Sequence, residues 1–349
     1  MERMIWAQLL HLSRNLWRPD AWRYDDPKGW RSSFIDEYSV DDGVWRRVTD
    51  RLAASGATMA MIDVADGVVY PSHPELAIKG SWTAEKMAAE VKRLKALGLE
   101  VVPKLNFATT HDQWLKEYGR MVGTRRYYEV VRDLINDICD IFEGPRLLHI
   151  GLDEELFDQI KAMKNAIGTF RKGKAFWQDV RFYADCCEKK GARPWMFADY
   201  AADFPDEFIR CCPKSILQSA WYYRDLFGNE PKKGGEKNFN GFWLKHIRTF
   251  EILAKGGFDQ VPCGSTWNNE CISKEGNNFK RLVDYCDSII DSSHLKGYLQ
   301  TTWQRLLPGA SGENRNMLGI EWMREAREKR GRPNARRCVL TRMVAFCRY

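Results

Sequence analysis

The 349-residue chain has no run approaching the roughly 20 apolar residues that a membrane-spanning helix requires. No membrane partner is expected. Its ten cysteines include no Cys-x-x-Cys element and no zinc-ligand spacing, and the adjacent pairs at 186/187 and 211/212 fit no simple disulfide framework. They read as reduced core thiols. No His-x-His pair or ladder of carboxylates supports a metal site, and no Gly-rich dinucleotide fingerprint follows the first strand, so no cofactor is expected. The opening residues "MERMIWAQLLHLS" lack the uninterrupted apolar core of a signal peptide, which makes a cytoplasmic location the default expectation, although a chain trimmed of its leader would read identically. The net charge of +7 is modest for this length and spread along the chain. The one basic cluster, "REAREKRGRPNARR" (Arg324 to Arg337), reads as a solvated helix end, so no nucleic-acid partner is expected.

What is present is an alternation. Short β-rich runs and longer helical patterns follow each other about eight times, with Gly or Pro at many junctions. The strand-like runs are "WAQLLHLS" at Trp6, "ATMAMIDVA" from Ala57, "LEVVPKLNF" from Leu99 and "RLLHIGLDE" from Arg146. The second half continues with "ARPWMFADY" from Ala192, "SILQSAWYY" from Ser215, "FDQVPCGSTW" from Phe258 and "LKGYLQTTW" from Leu295. Between them lie amphipathic stretches such as "TAEKMAAEVKRLKALG", where Met87, Val91, Leu94 and Leu97 share helical spacing and Gly98 suits the residue past the helix end. Eight such units imply a (β/α)8 TIM barrel, which needs roughly 250 residues or more, rather than a doubly wound sheet. No domain boundary is evident. The segment "GNEPKKGGEKNFNG" (Gly228 to Gly241) reads as a long loop.

In such a barrel the active site is built from the C-terminal ends of several strands. Those ends supply Arg14 or its neighbours, Asp63 and Asp66, Asn106 and His111, then His149, Asp153 and Glu154. Asp199 with Tyr200, Trp221 with Tyr222 and Tyr223, Trp267 with Asn268, and Trp303 complete the set. Acids and aromatic rings together suit a sugar, because hydroxyls need acceptors and the apolar face of a pyranose packs on an indole or phenol. Most of the fourteen tryptophans belong to the core on general grounds. Those at the ends of strands six, seven and eight are assigned to the pocket. Asp153 and Glu154 suit acid catalysis because neighbouring carboxylates disfavour each other's ionisation, so one can hold a proton while the other stays charged. A capping or salt-bridging pair would read the same in isolation.

Here the sequence resembles the β-N-acetylhexosaminidases of glycoside hydrolase family 20. Their fourth strand typically reads His-x-Gly-Gly-Asp-Glu, against "HIGLDE" (His149 to Glu154) in this chain. The segments "IDVADGVVYPSHPELAIKGSWT" and "GLEVVPKLNFATTH" are similar to the family's strand-two and strand-three regions, the latter ending in His111. These matches cover about the first half of the chain. The resemblance implies residues 1–349 as a single glycosidase-like TIM-barrel catalytic domain. It also implies a substrate-assisted retaining mechanism, in which the substrate's own 2-acetamido oxygen attacks the anomeric carbon. Glu154 would be the general acid and base, and Asp153 would orient the acetamido group. Tyr222 or Tyr223 would contact the acetamido oxygen, and Trp221, Trp267 and Trp303 would wall the pocket. The implied partner is a glycan or glycoside.

The sequence also departs from that pattern. Leu152 replaces the second glycine, Lys104 stands where the family often has an acid, and "GSTWNNE" replaces a strand-seven Tyr-x-Asp element. After strand eight the family's Trp-x-Glu becomes "WQR", which puts Arg305 where an acid would ordinarily bind sugar hydroxyls. Lys104 and Arg305 together would suit a sugar bearing sulfate, phosphate or carboxylate. A non-catalytic carbohydrate-binding barrel, and a metal enzyme using His149, Asp153, Glu154 and Asp199, are the other readings of these residues.

Overall fold

The computed structural model describes residues 3–13, 15, 36–155, 169–224, 227, 242–267 and 277–331. All eight expected strands are present: β1 (Ile5–His11), β2 (Met59–Asp63), β3 (Glu100–Lys104), β4 (Leu147–His149), β5 (Arg193–Phe197), β6 (Leu217–Ser219), β7 (Cys263–Ser265) and β8 (Gly297–Thr301). They pair in parallel in the order β6-β5-β4-β3-β2-β1-β8-β7. The ends of this sheet meet, because Val261 N–H donates to Gln218 O (2.8 Å) and Cys263 N–H to Ala220 O (2.8 Å). The result is a (β/α)8 TIM barrel. Closure removes the exposed strand edges that an open sheet would present.

The helices are α1 (Asp42–Ala54), α2 (Ala84–Ala96), α3 (Arg125–Ile141), α4 (Lys174–Lys189), α5 (Asp199–Asp203), α6 (Pro205–Cys211), α7 (Phe242–Lys255), α8 (Asn278–Ile289) and α9 (Glu313–Gly331). Polar side chains start four of them, since Asp41, Thr83, Thr124 and Asn277 each accept a hydrogen bond from the backbone N–H three residues on. Each such cap satisfies a donor the helix itself leaves open, worth about 1 kcal/mol. On α2, Met87, Val91 and Leu94 are buried as their spacing predicts, and Gly98 adopts φ +86°. Leu97 departs from that expectation. It stands at the C-cap, past the last residue of the helix, and is 42% exposed. The basic residues that end α9 pair with acids, Arg324 with Glu321 and Glu328, and Arg330 with Asp287 at 2.8 Å.

Two apolar layers follow from the two-residue period of the strands. Ile5, Ala7 and Leu9 of β1 point into the barrel, where they meet Met59, Met61, Val102 and Leu299. Trp6 and Leu10 of the same strand point outward to the layer beneath the helices. No helix among the described residues is long and apolar enough to cross a membrane.

Candidate active site

The chain leaves β4 through Ile150 and enters a turn in which Gly151, Leu152 and Glu154 all have positive φ, at 74°, 70° and 61°. For Leu152 and Glu154 this conformation costs about 1–2 kcal/mol each. Backbone strain of this kind persists only where the surroundings enforce it. Asn106, wholly buried after β3, does the enforcing. Its Oδ1 accepts the Leu152 N–H at 3.2 Å and the Ala108 N–H at 3.1 Å, and its Nδ2 donates to Asp153 Oδ1 at 2.7 Å. A Cβ on Gly151 would lie 2.0 Å from Asn106 Oδ1 and 2.7 Å from its Cα, so only glycine lets the two segments approach this closely. Leu152 therefore keeps the left-handed conformation associated with the glycine it replaces in the His-x-Gly-Gly-Asp-Glu pattern.

This turn presents Asp153 and Glu154 side by side. The Asp153 side chain is 5% exposed and that of Glu154 is 23% exposed. His111 Nε2 lies 3.4 Å from Glu154 Oε2 and 3.8 Å from Asp153 Oδ2, while its Nδ1 is 2.8 Å from the Thr110 hydroxyl. Asp199, at the end of β5, closes the group. Its Oδ2 accepts the Glu154 N–H at 2.8 Å and its Oδ1 accepts Trp221 Nε1–H at 2.8 Å. Burial, then the neighbouring Asp153 charge, push the Asp199 carboxyl well above the usual carboxylate range. Both effects favour the neutral form of Asp199 in a site that already contains two acids.

The aromatic wall rises from β6 and β8. Trp221 stacks on Tyr223 at 4.8 Å, and the Tyr223 hydroxyl accepts Trp303 Nε1–H at 3.0 Å. Trp303 itself has φ 52°, a further strained residue at a strand end. Tyr222 points the other way, into the helix-facing layer against Phe227 and Trp243. Consecutive side chains of an extended segment face opposite sides, so Tyr223 is the tyrosine on the inner face and Tyr222 is not a pocket residue. Tyr200 is likewise outside the barrel, stacked on Phe176 at 4.2 Å. Trp267 is half-buried at the inner layer's edge, and its carbonyl accepts Gln304 Nε2–H at 3.2 Å.

Lys104, Asp63 and His149 are buried. Lys104 does not reach for a ligand: it is wholly buried and donates to Asp63 Oδ2 at 2.7 Å, with His11 Nδ1 3.3 Å from the same oxygen. Burial alone would raise the Asp63 carboxyl, but Lys104 and His11 outweigh it and hold it well below its usual range. This pair lies below Trp303, whose ring centroid is 5.9 Å from Lys104 Nζ. His149 is also wholly buried, packed on Phe197 at 4.6 Å, and accepts the Gly151 N–H on Nδ1 at 3.0 Å. Burial, with Lys104 nearby, depresses its pKa well below that of a free histidine, so it shapes the turn as a neutral ring. Arg14 and Asn268 lie outside the described residues. Arg305, two residues beyond Trp303, is half-buried.

The structure adds residues that the strand-end reading missed. Glu155 Oε1 accepts the Thr109 N–H at 2.7 Å and Arg171 Nη2–H at 2.5 Å, and Arg171 Nη1 donates to Asp179 Oδ2 at 2.8 Å and to the Tyr183 hydroxyl at 2.5 Å. All of these side chains are buried. The clamp anchors the residue directly after Glu154 to α4. Glu155 was visible in the run "DEE", but its partner lies 16 residues away, with no periodicity linking the two. Among the described residues, no group of three or more His, Cys, Asp and Glu side chains could hold a metal ion.

No family model matches this sequence, and no curated protein is similar to it at significance. Solved structures are. The β-N-acetylhexosaminidase of Bacteroides fragilis superposes over 99% of this chain and 70% of its own, with a TM-score of 0.61 and 11% identity. The β-hexosaminidase of Streptomyces plicatus, solved as a mutant with its product N-acetylglucosamine, matches 92% of this chain and 64% of its own, with a TM-score of 0.58 and 15% identity. A family 20 exo-β-N-acetylglucosaminidase of Vibrio harveyi, also in complex with N-acetylglucosamine, matches 93% of this chain and 54% of its own, at 0.61 and 12%. The chain thus spans between about half and seven-tenths of the length of these proteins. At such identities the likeness establishes a shared barrel fold.

Proposed function

We propose that this barrel is a glycoside hydrolase, an exo-acting retaining enzyme of the β-N-acetylhexosaminidase kind, which removes a terminal 2-acetamido sugar by substrate-assisted catalysis. The observation that carries the proposal is the Asp153–Glu154 turn, where Asn106 holds Asp153 and His111 stands 3.4 Å from the Glu154 carboxylate. The structural neighbours that bind N-acetylglucosamine support the same substrate class.

In the first step the acetamido oxygen bonds to the anomeric carbon as the glycosidic C–O bond breaks. Glu154 passes its proton to the departing oxygen. Asp153 accepts a hydrogen bond from the acetamido N–H and stabilises the positive charge that develops on the oxazolinium-like ring. In the second step a water attacks the anomeric carbon, its proton returns to Glu154, and the acetamido group is regenerated with net retention. The raised Asp199 carboxyl suits this scheme, because favouring its neutral form leaves Asp153 as the charged partner of the acetamido group. Trp221, Tyr223 and Trp303 would wall the sugar, with Trp267 at the rim.

The discriminating change is Glu154→Gln, assayed on aryl glycosides with and without the 2-acetamido group. Hydrolysis of the acetamido substrates should fall by roughly a hundredfold or more while sugar binding persists. Turnover of no 2-acetamido glycoside by the unaltered chain would refute the reading, as would full activity in the glutamine variant.

A further inference from the structure

The charges around the barrel mouth are unevenly compensated. Asp153, Glu154 and Asp199 stand together at the ends of β4 and β5. On the neighbouring strands β3 and β2, Lys104 is cancelled by Asp63 in a buried pair. Arg305 has no such partner among the described residues. The segment that bears it is fixed on both sides: Gln304 Nε2 donates to Trp267 O at 3.2 Å, and Leu306 O accepts the Asp41 N–H at 2.8 Å. Asp41, the acid brought near by that contact, turns its carboxylate to the Val44 N–H at the start of α1.

Several other half-buried arginines find acceptors. Arg93 binds Glu90 and Asp50, Arg193 binds Asp259, Arg315 donates to Thr266 O and Arg327 to Ser55 O. Among the described residues Arg305 meets neither a carboxylate nor a carbonyl, and burial lowers its pKa with none of their acids opposing it. Partly desolvating a guanidinium is unfavourable unless something anionic offsets it. Its planar fork matches the paired oxygens of sulfate, phosphate or carboxylate.

We infer that Arg305 is the specificity residue for an anionic group on the substrate, so that the preferred ligand is an acidic 2-acetamido sugar and not the neutral one. The inference rests on the glycosidase reading for the sugar itself and adds the charge. Two residues beyond Trp303, Arg305 is a half-buried cation without an acid partner among the described residues.

The test uses the full chain and titration calorimetry with N-acetylglucosamine, its mono-O-sulfates and N-acetylglucosamine 6-phosphate as probes. At least one charged sugar should bind roughly tenfold or more tightly than the neutral sugar. That preference should weaken as salt rises. Arg305→Gln should remove the preference, Arg305→Lys should retain part of it, and thermal unfolding of both variants should report that the barrel is intact. If neutral and charged sugars bind equally, the inference fails and the glycosidase reading stands. If none of them binds, both fail. A preference that survives in Arg305→Gln also overturns the assignment.

Discussion

The buried Lys104–Asp63 pair offers a quantitative test of how charge is arranged beneath the site. Lys104 is 0% exposed and Asp63 is 1% exposed, with 2.7 Å between Nζ and Oδ2. Replacing Lys104 by methionine keeps the bulk of the side chain and leaves a buried carboxylate without its cation. Breaking a buried pair in this way costs about 3–5 kcal/mol, against a total stability of about 5–15 kcal/mol for a folded domain. Asp63→Asn in the same background removes the stranded charge and should recover most of that loss. Urea unfolding of the two single variants and the double variant yields the coupling energy.

The pH dependence supplies a second readout. Because the folded protein holds the Asp63 carboxyl below its unfolded value near 4, the pair's contribution is complete above that pH and fades as pH falls through the depressed folded value. Without Lys104, His11 alone opposes burial and the carboxyl rises, so the acid unfolding midpoint should move to higher pH. A cost below about 1 kcal/mol for Lys104→Met, or no coupling in the cycle, would refute the reasoning. Either result would return Lys104 to the set of ligand-binding cations.

Two further changes probe the strained turn after β4. Gly151→Ala combines a positive φ with overlap against the Asn106 backbone, costing about 2–5 kcal/mol, and should lower kcat more than KM by displacing Asp153. Thermal unfolding and steady-state kinetics on an aryl 2-acetamido glycoside check both effects, and wild-type behaviour would show that the turn tolerates a methyl group. Arg171→Met strands the Glu155 and Asp179 carboxylates, so unfolding should become easier by about 3–5 kcal/mol. If the clamp also positions Glu154, the pH profile of kcat should shift in whatever folded Arg171→Met remains; an unaltered profile would assign the clamp to stability alone.

Much of the architecture is written locally in the chain. The eight strand runs were legible because each is a short β-rich stretch with punctuation on both sides, and the helices because polar caps and apolar spacing are properties of neighbouring residues. The Asp153–Glu154 pair was legible for the same reason, as a short motif at the end of a strand. Tyr222 and Tyr223 show where that reading stops. Adjacent in sequence and alike in chemistry, they are separated only by which face of the strand each occupies, and that depends on the register of β6 in the closed barrel.

The chain's own order of residues thus determined the barrel, the position of the acid pair and the aromatic character of the mouth. Tertiary structure decided which charges cancel. Asp63 and Lys104 are 41 residues apart, and Glu155 and Arg171 meet through a turn that no local pattern announces. The same closure that paired those groups left Arg305 without an acid among the described residues. Electrostatic pairing acts through space over a few ångströms, so it becomes visible only once the strands have brought distant residues to one rim.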